Sequence, residues 1–374
     1  LTEMLYMVEL DKTNVFMINK IFCGKTYKLN IFQGSFIDGD YNADIFISKI
    51  TLKDNIIFMK KIETFASKFD IAIGNPPYNK GGVSKGGGII WKDFVYKSFY
   101  MLNDNGYLLM IHPPGWRKPQ SQKASAGDIW KLFKSYNLLK LKIISYPEKI
   151  TNFPDVDYYL LNKSKNKKKT FIINNKKYYN LYNLPFIPHL INKESISIIN
   201  KVLDKNGEKF NIIYNQVVKP KKGIKNNSGI PHCHYYDVKI NDYQVVFHKY
   251  EDNNPDYLIN PKIVMTCKSG KEKAKLYAKY ISSEIGTTNN TMYQIITHKD
   301  NKNNLINFLN SRLINFILKI TQYSAPPNYI NEFNILNLIS KPNEGNIKEQ
   351  KDIYDYFKLT TEEIKLIEDN TSNF

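Results

Sequence analysis

In the first half of the chain, short apolar runs end in small, polar or acidic residues, and amphipathic stretches follow them. Leu5 to Asp11 reads as a strand closing on acidic residues, and Val15, Ile18 and Phe22 mark a helix after it. Leu29 to Phe36 is a second strand, running into Gly34 and Ser35. A third, Phe69-Asp70-Ile71-Ala72-Ile73-Gly74, reads as a buried parallel strand stopped by Asn75-Pro76-Pro77-Tyr78. Two consecutive prolines do not continue a ladder, so the chain turns out sharply there. Trp91, Phe94, Val95, Phe99 and Leu102 share one helical face, Asn103 to Gly106 ends that helix, and Tyr107 to Ile111 is the next strand. Leu138 to Tyr146 and the stretch Asn152 to Lys163 add strands, and Lys163 to Lys169 is a turn, solvated or tracking phosphates beside a cleft. Strands alternating with helices predict an open α/β sheet, whose chemistry sits at the carboxyl ends of its parallel strands.

Beyond Asn174 tyrosine, asparagine, lysine and proline dominate and the strand–helix alternation is lost. The expected organisation is a catalytic domain over 1–185, a second, α+β domain over 186–340 and a peripheral helical tail over 341–374. In the second region Lys219 to Lys225 is a basic loop, Lys262 to Met265 a strand, and Leu305, Phe308, Leu309, Leu313, Phe316 and Ile317 one amphipathic helix. His232-Cys233-His234 invites a metal reading, which the spacing argues against: three adjacent side chains do not converge on one ion, and no second pair lies at finger spacing.

With 374 residues, 42% hydrophobic and 14% aromatic, the chain is long enough for two cores. It has no run of about 18 apolar residues and no basic-then-apolar leader pattern, and three scattered cysteines make no disulfide framework. These features predict a cytoplasmic protein, in a nucleoid or viral replication compartment, without a membrane partner. The formal charge of +18 favours a polyanion, and nucleic acid is the expected one. Only Arg117 and Arg312 interrupt the lysines. Bidentate arginine contacts to guanine are therefore scarce, and sequence reading falls to Asn, Gln, Lys and main-chain groups. Gly81 to Gly88 does not match the phosphate-cradling pattern of nucleotide triphosphatases; it is a loop that closes on DNA, or an idle one.

The turn Asn75 to Tyr78 carries the most specific chemistry. An exocyclic amino group on a base is a poor nucleophile because its lone pair is conjugated into the ring. The Asn75 side-chain oxygen and the Pro76 carbonyl can each accept one amino hydrogen, Pro76 and Pro77 stiffen the backbone that holds them, and Tyr78 offers a ring for an extruded base to stack on.

Asn75-Pro76-Pro77-Tyr78 resembles motif IV of the amino-methylating DNA methyltransferases, and the helix, turn and strand after it, leading into His112-Pro113-Pro114-Gly115-Trp116, resemble the Taq-like, gamma-ordered adenine group. The resemblance implies a Rossmann-like class I methyltransferase domain followed by a target-recognition domain, S-adenosyl-L-methionine as cofactor and duplex DNA as partner. It implies Asn75, Pro76, Pro77 and Tyr78 as catalytic residues, with Phe153 as a second ring stacking on the flipped base. Glu9, beside Leu10 at a strand's end, is placed to accept from ribose hydroxyls, or else Asp11 caps the helix and Glu9 is solvated. Phe36 matches the family's adenine-binding apolar residue, while the acidic position beside it holds Ser35 or else has moved to Asp38. Asn75 also borders the cofactor. The family's first strand and glycine-rich turn belong ahead of Glu9, and eight residues hold neither. The sheet is accordingly expected without that strand, in a fragment, in a chain completed by an N-terminal segment or partner chain, or in a degenerate enzyme. Methylation of cytosine N4, methylation of RNA or of protein glutamine, and an inactive DNA-binding remnant remain as alternatives.

Overall fold

The computed structural model describes residues 6–9, 12–21, 30–33, 69–78, 90–119, 127–144, 155–203, 206–214, 230–237, 239–248, 260–266, 275–282, 285–288, 291–321, 323, 333–342, 345 and 347–372. The chain divides into two compact units, one of Leu1–His112, Leu132–Lys142 and Val156–Tyr178, the other of Pro113–Lys131, Ile143–Asp155 and Tyr179–Phe374.

In the first unit β1 (Tyr6–Glu9) is followed by α1 (Lys12–Ile21) and pairs in parallel with β2 (Asn30–Gln33), Glu9 lying opposite Gln33. A mixed six-stranded sheet then begins with β3 (Phe69–Gly74), α2 (Trp91–Met101) and β4 (Leu102–His112). After α3 (Gly127–Phe133) come β5 (Asn137–Ile144), β6 (Val156–Asn162), β7 (Thr170–Ile172) and β8 (Lys177–Tyr179), and the strand order is β3-β4-β6-β5-β7-β8. β3 runs parallel to β4, and β6 inserts antiparallel to β4, with Tyr107 opposite Asn162 and His112 opposite Asp157. The architecture is a mixed α/β sheet domain, as its alternation predicted.

Two local expectations are corrected. β3 is parallel but not buried: Ile71 and Ile73 are 59% and 73% exposed. Asn103 to Gly106 does not separate the helix from the strand; α2 stops at Met101 and β4 runs through this segment with a register shift against β3. The irregularity is accommodated by Asn105 at φ 64, a left-handed conformation that asparagine tolerates better than most side chains. Its neighbours are tied down, Asn103 Nδ2 donating to Asp70 Oδ1 at 2.9 Å and Lys163 N to Gly106 O at 2.8 Å.

The second unit is α+β. It contains α4 (Lys193–Leu203), β9 (Ile213–Tyr214), β10 (Ile230–Asp237), β11 (Asp242–His248), β12 (Lys262–Thr266), β13 (Ala278–Ile281), β14 (Gly286–Thr287) and β15 (Thr291–Ile295). These strands form the sheets β11-β10-β14 and β13-β12-β15-β9. The expected single amphipathic helix is two, α5 (Lys302–Leu309) and α6 (Arg312–Lys319), because Ser311 caps the second by accepting from Ile314 N at 3.2 Å. The tail is not peripheral. α7 (Gln350–Tyr356) and α8 (Thr361–Thr371) bury Ile353, Phe357 and Ile367, and Glu363 accepts from Lys201 of α4 at 2.7 Å. Arg117 is fully buried, donating to the carbonyls of Ile187 and Pro188 and lying 5.2 Å from the Tyr323 ring.

Candidate active site

The Asn75–Tyr78 turn leaves the carboxyl end of β3, where an open sheet presents backbone and side chains to a ligand. A Cβ at Gly74 would lie 2.9 Å from Met110 Sδ on the paired strand, so a larger residue there displaces that flexible side chain. Asn75 is exposed, Pro76 buried, Pro77 exposed and Tyr78 half-buried. The turn is thus anchored through one proline while its amide side chain faces out. Tyr78 OH donates to Asn75 Oδ1 at 3.4 Å, a long bond that leaves the second lone pair of that oxygen for another donor. Partial burial pushes the Tyr78 phenol above its ordinary range, so it stays a neutral donor at physiological pH.

Behind the turn stands a buried cluster that sequence reasoning left unconnected. Ile90 N, just ahead of α2, donates to Tyr78 O at 3.4 Å. Trp91, the first residue of α2, stacks on His112 at 4.2 Å between centroids and 15° between planes. His112 Nε2 lies 3.0 Å from the Tyr159 hydroxyl, and Tyr159 packs edge-on against Phe133. Burial, with the Asp157 carboxylate adding to it, pushes the Tyr159 phenol well up, which holds it neutral. His112 lies two residues beyond Met110, the partner of Gly74, and so shares the end of the sheet from which the turn leaves. No spacing rule brings Trp91, His112 and Tyr159 together, because the antiparallel insertion of β6 places Tyr159 there.

Of the cofactor candidates, Glu9 is the last residue of β1, while Leu10, Ser35 and Phe36 lie outside the described residues, as does Phe153. β6, the strand that follows Phe153, begins at Val156 beside His112, at the same end of the sheet as Asn75. Gly81 to Gly88 and Lys219 to Lys225 also lie outside the described residues. His234 of β10 has Nδ1 3.0 Å from Thr288 Oγ1, while Cys233 beside it is buried, its thiol pushed up to about 11 chiefly by that burial. No described helix is long and apolar enough to cross a membrane.

The Asn-Pro-Pro-Tyr turn thus stands at the carboxyl end of a parallel strand in an α/β sheet. Residues 3–150, which include it, match the sequence profile of the Eco57I restriction-modification methylase family. Solved structures similar to this chain are those of restriction-modification enzymes. They include a nuclease-deletion mutant of the Type ISP enzyme LlaGI in complex with a DNA substrate mimic (11% identity, TM-score 0.42, 97% of this chain and 41% of that one). The DrdV–DNA complex follows with 10% identity, a TM-score of 0.44, and coverage of 79% of this chain and 43% of that one. The Type IIL enzyme MmeI in complex with DNA has 9% identity and a TM-score of 0.39, over 81% of this chain and 49% of that one. The chain spans less than half the length of each of these three structures. No curated protein matches it.

Proposed function

We propose that this chain transfers a methyl group from S-adenosyl-L-methionine to the N6 amino group of adenine in duplex DNA, as the modifying part of a restriction-modification system. The observation that carries the reading is the turn itself: an exposed Asn75 amide, a buried Pro76 and a half-buried Tyr78 at the carboxyl end of β3. The family match over residues 3–150 supports it.

The chain's own groups fit the task. Asn75 Oδ1 and the Pro76 carbonyl accept the two amino hydrogens of an extruded adenine, which localises the nitrogen lone pair and aims it outward. Tyr78 stacks on the base, with Phe153 as the second ring implied by the resemblance, and each ring contributes roughly 1–3 kcal/mol toward offsetting the lost stacking in the duplex. The resemblance assigns to Glu9, the last residue of β1, the role of accepting from the ribose hydroxyls of the cofactor. When bound, the cofactor supplies an electrophilic methyl group. Most of the acceleration contributed by the protein is orientation of the amino nitrogen.

The test is nucleoside mass spectrometry of unmethylated, AT-rich duplex DNA incubated with the chain and isotope-labelled S-adenosyl-L-methionine. Labelled N6-methyladenine is expected. Label in N4-methylcytosine would move the assignment to that base, and no label in any base would reduce the chain to a binding remnant. Asn75→Ala is expected to lower transfer by about 10²–10³-fold while duplex affinity stays nearly unchanged; a variant keeping half its activity would remove Asn75 from the mechanism.

A further inference from the structure

The lysine run that reads in sequence as a turn beside a DNA cleft is at the other end of the sheet. β6 is antiparallel to β4, so its carboxyl end meets the amino-terminal half of β4: Lys163 N donates to Gly106 O at 2.8 Å and Asn105 N to Lys163 O at 3.1 Å. The Asn75–Tyr78 turn leaves the sheet beyond Gly74, which is level with Met110. Four residues of β4 separate Gly106 from Met110, about 13 Å of strand before either turn adds its own length in the opposite direction.

On the β5–β6 side of that end, among the described residues, the charge has one sign. Residues 163–169 hold five lysines and residues 132–142 three, and neither segment contains an acid. The two segments are joined, since Lys168 N donates to Asn137 Oδ1 at 3.1 Å. Lys163 is the structural member, its Nζ donating to Leu102 O at 2.7 Å and lying 5.1 Å from the Phe99 ring, whereas Lys165, Lys167, Lys168 and Lys169 are exposed. Lys134 is held close enough to Lys167 for the two ammonium groups to repel, which, after partial burial, draws the Lys134 amine below its ordinary range. Among the described residues, the acids at this end, Asp70 and Asp104, lie on the β3–β4 side, with Asp70 accepting from Asn103. Lysine rather than arginine throughout suits point-charge contact with phosphodiesters and not bidentate reading of bases.

We propose that this turn, with Lys134, is a second, sequence-independent binding surface for duplex DNA, turned away from the catalytic end of the sheet. It holds a segment of duplex other than the one whose base is modified, and keeps the enzyme on DNA between encounters with its site. The inference adds to the proposed methyl transfer and is tested separately from it.

The experiment titrates the chain at low salt with a blunt duplex of about one helical turn, a stiff rod that does not bend around two surfaces facing in opposite directions, and compares the variant Lys165→Gln/Lys167→Gln/Lys168→Gln/Lys169→Gln. The wild-type chain is expected to take up two duplexes and the variant one. The weaker site of the wild-type chain is expected to show a slope of log K against log salt of about −3 to −4, as four lysine–phosphate contacts require. Labelled methyl transfer into saturating substrate duplex stays unchanged. Saturation of the wild-type chain at one duplex, or loss of substrate duplex by the variant, would overturn the proposal, as would a second site filled by single-stranded RNA but not by duplex. If the wild-type chain transfers no label, the catalytic reading fails while the stoichiometry still decides this one.

Discussion

Tyr78 is joined to Asn75 by one long hydrogen bond and offers a ring to whatever lies above it, and two substitutions separate these contributions. Tyr78→Phe removes only the hydroxyl, and a 3.4 Å bond at an exposed site is weak, so transfer is expected to change by no more than a few-fold. Tyr78→Ala removes the ring, and the loss of roughly 1–3 kcal/mol of stacking should appear as weaker binding of duplex containing the target base, measured by anisotropy. Equal effects from the two would mean that the hydroxyl, not the ring, is the working part. A second residue-scale expectation concerns Cys233. Its thiol is raised by burial from 9.0 to about 11 in the folded chain. The folded state therefore binds this proton more tightly than the unfolded state, and the stabilisation is complete below pH 9 and lost as pH rises toward 11. Over that window Cys233→Ala should lose roughly 2–3 kcal/mol less than the wild type, read from urea midpoints at matched pH. Parallel pH profiles for the two chains would show that the thiol ionises normally.

At the scale of elements, two departures from the apolar pattern are each decided by a single polar residue. The periodicity of Leu305, Phe308, Leu309, Leu313, Phe316 and Ile317 is continuous across residues 302–319, yet Ser311 satisfies the N-terminal amide of α6 and divides the stretch in two. Ser311→Ala is expected to cost about 1 kcal/mol without fusing the helices, because Asn310 Oδ1 also accepts from Ala278 N at 2.7 Å and holds the break open. Asn105 is the second case. Asn105→Gly should leave stability within a few tenths of a kcal/mol, and Asn105→Val should cost about 1–2, since a β-branched side chain resists φ 64. Equal denaturation midpoints for Gly and Val would show that the strand straightens without cost. These cases mark what the sequence makes legible. β1, β2, β3, β5 and β6 were readable because each is a short apolar run bounded by turn residues, and the Asn75–Tyr78 turn was readable because two prolines admit few conformations. The position of Lys163–Lys169 and the partners of His112 were not, because both depend on β6 pairing antiparallel with β4, a contact across about fifty residues that no local pattern encodes.

For the molecule as a whole, the charge of +18 sets opposing demands on stability and binding. Mutual repulsion among excess lysines opposes compaction, and it acts at the surface, where salt screens it within about 10 Å at 0.1 M. The favourable pairs are better protected. Lys341 meets Asp300 at 3.1 Å with side chains 2% and 0% exposed, and Lys201 meets Glu363 with the carboxylate 4% exposed. Salt therefore weakens the repulsion more than the attraction, and melting temperature is expected to rise by a few degrees as sodium chloride goes from about 10 to about 200 mM, then level off. Duplex DNA, the proposed partner, would do the same work by neutralising lysines directly. At low salt it should raise the melting temperature further by binding the folded state, and that increment should vanish over the range in which added salt levels the curve of the free chain, because counterion release drives the binding. Scanning fluorimetry across salt, with and without a non-specific duplex, checks both halves. A melting temperature that falls with salt in the absence of DNA would mean that surface ion pairs, and not lysine repulsion, dominate the electrostatics of the fold.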